Sequence, residues 1–265
     1  MTVPKSHPRR GSLIRRERLV RAWKAGVVVP EGLIAHGRGE AWDYLLGEAP
    51  NPPALVAEKA AAAYLLRARR PVLSVNGNVA ALAAREIVRL ARTVPAAIEV
   101  NLFHRTETRV RRISTLLRRA GAQEVLGPRP DARIPGLESK RALVHRKGIF
   151  AADVVLVPLE DGDRTEALAR MGKIVIAIDL NPLSRTSRAA TVPVVDEVSR
   201  ALAAIAGFVR ELRDDSAETS RILREYDKAR NLGAIFRYIE WRLRGLQRKR
   251  RRTTRMRARG SGTQR

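Results

Sequence analysis

The residues of this sequence best suited to chemistry lie in five short polar segments, most of which follow apolar stretches. The segments begin at Pro4 (P-K-S-H-P-R), Gly32 (G-L-I-A-H-G-R-G-E), Ser74 (S-V-N-G-N-V-A-A), Leu159 (L-E-D-G-D-R-T-E-A-L) and Ile178 (I-D-L-N-P-L-S-R). Most of them combine glycine or asparagine with a charged residue. Where a strand leads into a helix, backbone N–H and guanidinium groups of such segments bind phosphate. The pattern predicts a site for a phosphorylated ligand.

The segment around Gly37 and Gly39 allows two interpretations. Two glycines would let the backbone approach a phosphate closely, with Arg38 binding it and His36 donating a hydrogen bond. In this interpretation the glycines form a loop and Glu40 follows at a helix start. The alternative is an ordinary glycine turn beside a solvated arginine. The sequence has neither of the common glycine-rich nucleotide-binding motifs, G-x-x-x-x-G-K-[ST] and G-x-G-x-x-G.

Asparagines surround a glycine at the end of another predicted strand. Asn76 and Asn78 could direct two carboxamides, and nearby N–H groups, at a ligand. The alternative is a tight turn, because asparagine and glycine both accept positive φ angles.

Three carboxylates lie within four residues after the next predicted strand: Glu160, Asp161 and Asp163. Grouping them is costly without a cation, so magnesium or a ligand amine would justify the repulsion. A helix cap formed by Asp163 with Glu166 is the alternative. Both interpretations are compatible, with Asp163 as the cap and Glu160 or Asp161 facing the ligand.

A further candidate segment closes the most strongly apolar strand. Asp179, Leu180 and Asn181 stand where α/β proteins often bind a ribose hydroxyl or a base. The polar loop that follows suits phosphate and contains Ser184, Arg185, Ser187 and Arg188. The four histidines of the chain are scattered without H-x-x-x-H spacing, which argues against a histidine metal centre.

The elements that must position these residues alternate between strand and helix. Apolar stretches predict strands at 71–75, 97–103, 124–126, 152–157, 174–178 and 193–195, with helices at 79–92, 107–120 and 164–171 between them. This alternation predicts an α/β fold, with a mostly parallel sheet and helices on both faces. Helical segments precede the sheet (13–25, 41–46, 54–69) and follow it (197–212, 216–229, 232–247).

This pattern predicts one domain over residues 1–247. Its parts are a helical N-terminal segment of about 1–69, a sheet core of about 70–196 and C-terminal helices of about 197–247. Residues 248–265 are predicted to be a disordered basic tail. The chain carries a net charge of +25, of which residues 242–265 supply +11. The charge suggests a polyanionic partner, and its concentration at the end makes the tail a separate question from the body.

The composition excludes several classes of protein. There are no cysteines, so disulfides, thiolate catalysis and thioester enzymes are excluded. The longest uncharged stretch, 71–84, is too short to cross a bilayer. The N-terminus has no signal-peptide pattern, and we expect a cytoplasmic protein without a membrane partner.

Longer motifs point to a known family. K-S-H-P-R, G-L-I-A-H-G-R-G-E-A-x-D-Y-L, S-V-N-G-N-V-A-A-L, E-V-N-L-F-x-R-T-E, R-I-P-G-L-E, A-D-V-V-L-V-P-L-E-D-G-D-R-T-E-A-L-x-R-M-G-K and I-D-L-N-P-L-S-R occur in this order. Together they resemble the archaeal phosphopantothenate synthetases (4-phosphopantoate–β-alanine ligases) of coenzyme A biosynthesis. The resemblance runs from about residue 3 to about residue 247 and excludes the basic tail.

The resemblance implies a Rossmann-like fold, a homodimer and an ATP- and magnesium-dependent ligase. Its reaction joins 4-phosphopantoate to β-alanine and gives 4′-phosphopantothenate, AMP and pyrophosphate through an acyl adenylate. The family's ATP contacts correspond here to Arg16, Arg38, Asp179, Leu180, Asn181, Arg185, Thr186, Glu197 and Val198.

The remaining roles are hypotheses drawn from residue chemistry. Arg16 and Arg38 would neutralise the triphosphate, and Asp179 with Asn181 would hold the ribose or adenine. Lys5, His7 or Arg105 would bind the phosphate of phosphopantoate, and Asn76 and Asn78 would line the substrate site. Glu160 or Asp161 would hold magnesium or orient the β-alanine ammonium, and His36 would accept its proton. The metal ligands stay unassigned.

Two rival functions remain open at this stage. A nucleic-acid-binding protein would explain the basic tail but not the polar clusters at Asn76, Glu160 and Asp179. A pantoate kinase would also use ATP, but it would release ADP rather than AMP.

Overall fold

The computed structural model describes residues 3–260, and the side chains of residues 3–247. Five parallel strands form the main sheet, in the order β2-β1-β5-β6-β7, and β3 and β4 form a separate antiparallel pair. The strands are β1 (Pro71–Val75), β2 (Ala97–Val100), β3 (Ala132–Arg133), β4 (Leu143–Val144), β5 (Val154–Pro158), β6 (Ile174–Ile178) and β7 (Val192–Val194). The parallel sheet predicted from the sequence is confirmed.

The helices connect and cover these strands. They are α1 (Arg10–Lys24), α2 (Pro30–Leu46), α3 (Pro52–Arg67), α4 (Gly77–Thr93), α5 (Glu107–Arg119), α6 (Gly162–Arg170), α7 (Arg185–Ala189), α8 (Val198–Leu212), α9 (Ser216–Glu225) and α10 (Lys228–Gly260). A 3₁₀ turn at Lys140–Ala142 and a π turn at Arg146–Phe150 flank β4.

Helices bury both faces of the sheet, which explains why its central strands are continuous apolar runs. Leu156 of β5 and Ile176 of β6 face the larger core, which includes residues of α3, α4, α5 and α8. Their neighbours Val155 and Val175 face a smaller core, which includes residues of α6 and the β3–β4 pair. Successive residues of a strand point to opposite faces, so one run of sequence serves both cores.

The strand order places a switch point between β1 and β5. The chain leaves β1 through α4 toward β2, and it leaves β5 through α6 toward β6. Adjacent connections therefore run to opposite sides, and a crevice opens at the carboxyl ends of these two strands. Asn76, Glu160 and Asp179 follow the carboxyl ends of β1, β5 and β6, as the sequence predicts.

The glycine loop predicted around Gly37 and Gly39 is wrong. Both residues lie within α2, whose first residue is Pro30 and whose end is marked by Gly47 in the left-handed region at φ 100°. Proline is well suited to a first helical position and glycine to a C-terminal cap. These two ends define a 17-residue helix that tolerates interior glycines.

The C-terminal helix is longer than predicted. Its backbone continues to Gly260 and so includes most of the 248–265 segment predicted to be disordered. Arginine and lysine have high helix propensity, which favours continuation of the helix once α10 has begun. Residues 261–265 of that segment lie outside the described residues. Within the described residues, no helix is long and apolar enough to cross a membrane.

A buried ionic network joins four helices next to the sheet. Asp43 of α2 pairs with Arg200 of α8 (2.7 Å) and with Arg15 of α1 (3.4 Å). The Nε of Arg200 also donates to Asp196, directly after β7 (2.8 Å). Glu58 of α3 is 1% exposed, and its burial and the nearby Asp196 carboxylate raise its pKa to about 9. The network is therefore neutral overall only when Glu58 holds a proton.

We predict that Glu58→Gln removes a pH dependence of stability. The pKa of Glu58 rises on folding from an ordinary 4.5 to about 9, so the folded chain binds an extra proton between these values. The free energy of unfolding of the wild type should fall from pH 5 to pH 9 relative to that of the variant. Urea titrations across this range measure the difference, with the exposed Glu124→Gln as control. Equal pH profiles for wild type and Glu58→Gln would contradict the prediction.

Candidate active site

Asn76 fixes the crevice between β1 and β5. Its Oδ1 accepts a hydrogen bond from the N–H of Val79 (3.1 Å) and so caps α4. Its Nδ2 donates to the carbonyl oxygens of Pro158 (3.1 Å) and Leu159 (2.9 Å), at the end of β5. Both ends of the carboxamide are thus engaged by the protein. The side chain of Asn76 thus holds the two strand ends together, and its contact with substrate stays a prediction.

The neighbouring residues attach α2 to the same edge. Nδ2 of Asn78 donates to the carbonyl oxygen of Gly32 in α2 (2.7 Å). A Cβ at Gly77 would overlap the carbonyl oxygen of Val27, just before α2. The N-X-N segment therefore brings the start of α4 and the start of α2 into close contact.

The middle of α2 lies over the residues that follow β6. Arg38 is exposed, and its charge opposes the rise that burial causes in the pKa of Asp179. A Cβ at Gly39 would be 3.7 Å from Leu180, an ordinary van der Waals distance, so α2 passes directly over this residue. Leu180 itself is buried in a small apolar cluster with Leu46. The structure thus brings Arg38 near the Asp179–Asn181 segment, although no glycine loop is present.

His36 lies one turn before Glu40 on the same helix. Burial lowers its pKa, and its buried Nε2 has no hydrogen-bond partner in the described part of the chain. Glu40 and Glu197 raise that pKa and the arginines of α1 lower it, which places all of them around the imidazole. His36 is therefore a neutral histidine at neutral pH.

Arg16 of α1 is held against α2. Its Nε and Nη2 both donate to one carboxylate oxygen of Glu40 (2.8 and 2.6 Å), and Nη2 is 3.2 Å from the hydroxyl of Tyr44. Burial would raise the pKa of Glu40, but hydrogen bonds from Arg16 and Ser12 lower it. With 45% of its side chain exposed, Arg16 keeps a free edge toward solvent.

Short polar contacts shape the loop after β6. Oδ1 of Asp179 accepts from the N–H of Asn181 (3.0 Å), and the carbonyl oxygen of Asn181 accepts from Ser187 (2.9 Å). Thr186 of α7 donates to the carbonyl oxygen of Glu160 (2.7 Å). The loops after β5 and β6 are thereby joined, and Thr186 is buried rather than open to a ligand.

Glu197 caps α8 at the end of the same edge. Its Oε2 accepts from the N–H groups of Ser199 and Arg200 (both 3.1 Å), while its buried Oε1 has no partner in the described residues. Val198 is 2% exposed and packs in the larger core. A ligand would reach these two positions through the backbone and the free Oε1.

A cavity of about 420 Å³ opens beside the loop that follows β5 and the loop that follows β6. Glu160 is buried at its base between the guanidinium groups of Arg141 and Arg164 and forms ion pairs with both. Asp161 is half-exposed and 3.3 Å from Arg141. The carboxylate of Glu160 is thus committed to two arginines, and Asp161 is the better placed of the two to meet a ligand.

The predicted helix cap at Asp163 is wrong. Helix α6 begins at Gly162, two residues before the predicted start at 164, with Asp161 at the cap position and no side-chain hydrogen bond there. Asp163 instead pairs with Arg185 (2.6 Å), which also pairs with Glu166 (2.9 Å). A Cβ at Gly162 would overlap Arg185, so the starts of α6 and α7 are in close contact.

The candidates for the phosphate of a second substrate are dispersed. Lys5 and His7 are exposed in the N-terminal segment, and Nδ1 of His7 accepts from the N–H of Arg9 (3.0 Å). Arg105 is half-buried after β2 and donates to the carbonyl oxygen of Gly127. No contact among the described residues joins Lys5 or His7 to the carboxyl edge, and their roles stay predictions.

Sequence reasoning missed two buried polar residues, Glu99 and Asn101, that hold residues 141–149 in place. Glu99 of β2 accepts from the N–H groups of His145 (2.8 Å) and Ile149 (2.7 Å), and burial raises its pKa. Asn101 donates to the carbonyl oxygens of Arg141 (3.1 Å) and Leu143 (3.0 Å). A charged residue inside an apolar strand, A-I-E-V, was the available signal for Glu99.

Carboxylates in the described part of the chain do not form a cation cage. No three His, Asp or Glu side chains there are grouped so that they could hold a metal ion. Any magnesium at this site would need ligands from the substrate as well.

Comparison with known proteins identifies the family. The profile of the phosphopantothenate/pantothenate synthetase family matches residues 53–242. This chain belongs to that family. Among curated relatives, 4-phosphopantoate–β-alanine ligase from Methanospirillum hungatei is 56% identical over 241 residues, covering 91% of this chain and 98% of the relative. The ligase of the same name from Thermococcus onnurineus is 52% identical over 243 residues, covering 91% and 93%.

The family profile covers the sheet, and it begins after α1 and α2. The alignments with the two relatives cover 91% of this chain and 93–98% of theirs. The family resemblance inferred from the motifs is therefore confirmed.

We predict that Gly77→Ala destabilises the protein while Gly37→Ala does not. An added Cβ at Gly77 would strike a buried backbone carbonyl that cannot move aside, at a cost of about 1–3 kcal/mol. An added Cβ at Gly37 meets nothing within 4 Å in α2 and should gain about 0.5–1 kcal/mol. Guanidinium unfolding measures both. Equal effects of the two substitutions would refute the close contact between α2 and α4.

Proposed function

We propose that this protein is a 4-phosphopantoate–β-alanine ligase of coenzyme A biosynthesis. The observation that carries the proposal is the identity of 51–56% with four curated archaeal ligases of that name, over at least 90% of this chain. The reaction would consume ATP and yield 4′-phosphopantothenate, AMP and pyrophosphate.

The nucleotide would lie along the edge formed by α1, α2 and the ends of β6 and β7. Arg38 and the free edge of Arg16 would meet the triphosphate, since guanidinium groups bind phosphate oxygens in pairs. Asp179 and Asn181 would hold the ribose or adenine at the end of β6. The contacts that join α2 to this loop support the proposal.

The chemistry requires activation of a carboxylate. The phosphopantoate carboxylate would attack the α-phosphate of ATP, releasing pyrophosphate and forming an acyl adenylate. The β-alanine nitrogen would then form the amide bond as the bond to AMP breaks. This route needs no protein nucleophile, in agreement with a chain that has no cysteine. Alignment and charge neutralisation would supply the rate enhancement.

His36 is suited to accept the proton that the amine must lose. Burial lowers the pKa of His36, so the imidazole is neutral near pH 7, and its Nε2 has no partner in the described residues. A base must be unprotonated to act, and a lowered pKa ensures this.

Magnesium would enter with the ATP phosphates. Such ions keep several waters and take one or two protein carboxylates plus phosphate oxygens, which fits a site without a carboxylate cage. Glu160 has little room for the ion, because its carboxylate is paired with Arg141 and Arg164.

A cytoplasmic homodimer is the expected form of the protein. Helix α10 exposes large apolar side chains, including Trp241 at 67% and Leu246 at 53%. Exposed apolar surface of this kind favours association, and a second copy of the chain would cover it.

The ligase is tested by the products released from ATP. AMP and pyrophosphate should appear only when 4-phosphopantoate and β-alanine are both present with magnesium. Release of ADP would indicate a kinase instead. If no nucleotide is turned over, and the basic C-terminal segment binds RNA in a salt-dependent way, the nucleic-acid function would take its place.

We predict that Arg38→Ala raises the KM for ATP or lowers kcat, with a combined loss in kcat/KM of about 10- to 100-fold. This is the usual cost of removing one charged hydrogen-bonding group. Arg89→Ala, which changes an exposed arginine of α4, is the matched control. Wild-type kinetics for Arg38→Ala would remove Arg38 from the nucleotide site.

We predict that Trp241→Glu shifts the protein from dimer to monomer, because a carboxylate cannot be buried in an apolar interface without a partner. Sedimentation equilibrium measures the mass, and Arg89→Glu introduces the same charge on α4 as a control. A wild-type monomer would contradict the homodimer proposal, and a dimeric Trp241→Glu variant would place the interface elsewhere.

A further inference from the structure

The cavity beside the start of α6 has a lining of balanced charge. Four arginines (Arg141, Arg164, Arg170 and Arg185) and four carboxylates (Glu138, Asp161, Asp163 and Glu166) border it. Phe103, which is half-exposed, and Leu137 add apolar surface. A volume of about 420 Å³ is in the range of small-molecule sites.

Two buried arginines beside this cavity have unpaired N–H groups. Arg164 is fully buried and Arg141 is 9% exposed, and Glu160 pairs with both. The charge of the buried Glu99 also acts on Arg164. Nε of Arg141, and Nε and Nη2 of Arg164, are buried without hydrogen-bond partners in the described part of the chain. Burial lowers the pKa of both arginines to about 10, so both are still cations at neutral pH. A ligand carboxylate would accept hydrogen bonds that these carboxylates leave unmade.

Asp161 supplies the opposite charge at the mouth. Its side chain is 51% exposed and 3.3 Å from Arg141. It occupies the cap position of α6 but makes no capping hydrogen bond, so the carboxylate is not engaged by the helix. One small molecule could therefore place a cationic group beside Asp161 and an anionic group beside Arg141.

This distribution favours a zwitterion over a polyanion. A molecule with a phosphate and a carboxylate would meet Asp161, Asp163 and Glu166 at the rim and be repelled by them. A small amino acid presents one carboxylate and one ammonium group, which match Arg141 and Asp161. The stacking of Phe103 on Arg141, with 5.7 Å from guanidinium carbon to ring centre, provides an apolar wall for a short methylene chain.

We propose that this cavity is the binding site of the amine substrate, with Arg141 receiving its carboxylate and Asp161 its ammonium group. This assignment rests on the proposed ligase function and names β-alanine as the occupant. Arg141 is positioned by Asn101, which donates to its carbonyl oxygen (3.1 Å).

The cavity adjoins the proposed nucleotide site. Arg185 borders the cavity, and the next residue, Thr186, connects the loop after β6 to the loop after β5 (2.7 Å). An amine held at Asp161 therefore approaches the adenylate from the β5 side, while the nucleotide occupies the α2 side.

The test separates amine binding from carboxylate activation. Hydroxylamine traps an acyl adenylate as a hydroxamate, and it has no carboxylate to bind Arg141. In Arg141→Met we expect the KM for β-alanine to rise about 10- to 100-fold. Hydroxamate formation from ATP and 4-phosphopantoate should stay within about threefold of the wild-type rate. Arg141→Lys should recover part of the β-alanine affinity, since it restores charge without the guanidinium fork.

A second variant covers the case in which a buried arginine cannot be replaced without loss of folding. Asp161→Asn changes a half-exposed side chain that makes no cap bond, and it should also raise the KM for β-alanine. Arg89→Met is the surface control, with wild-type values expected.

The outcomes distinguish the two proposals. If Arg141→Met and Asp161→Asn leave the KM for β-alanine unchanged in an active ligase, the cavity assignment is wrong and the function stands. A parallel loss of hydroxamate formation and rise in the KM for 4-phosphopantoate would assign the cavity to that substrate instead. A wild type without β-alanine-dependent AMP release would contradict the function, and the assignment of β-alanine with it.

Discussion

The candidate site depends on one side chain that holds two strand ends together. β1 and β5 are adjacent in the sheet, but the chain leaves them in opposite directions, so a crevice opens at their carboxyl ends. Asn76 bridges this crevice, capping α4 and donating to two carbonyl oxygens at the end of β5. A carboxamide suits this position because it has both donors and an acceptor. The crevice and the helix start are thereby fixed by the same residue.

Two sets of charges are arranged on either side of this crevice. On the α2 side, the Asp43–Arg200–Asp196 network and the Arg16–Glu40 pair fix α1, α2 and α8 relative to the sheet. On the α6 side, buried Glu160 holds two arginines. A buried pair loses much free energy when one partner is removed, so such networks restrict the geometry of a site. The fixed arrangement suits a reaction whose catalysis consists of alignment and charge neutralisation.

Several motifs have a backbone conformation that differs from the one predicted from the sequence. The glycines of H-G-R-G do not form a phosphate loop, because Pro30 and Gly47 define a continuous helix through them. Helix α2 passes over Leu180 at Gly39, and Arg38 reaches the carboxyl edge of the sheet from a helix. Asp163 pairs with Arg185 rather than capping α6. In each case the sequence correctly placed the residues at the carboxyl edge of the sheet, but the predicted local backbone conformation was wrong.

The sequence alone determined the parallel sheet, the positions of its main strands and the family, because continuous β-branched runs and long motifs are local signals. It also placed Asn76, Glu160 and Asp179 at strand ends. Only the tertiary structure decided which polar groups remain free. The amide nitrogen of Asn76 donates to the carbonyl oxygen of Pro158, 82 residues away. The carboxylate of Glu160 is paired with Arg141 and Arg164. Pairing between distant segments leaves no periodic trace in a sequence, and so the cavity at Arg141 became visible only in the folded chain.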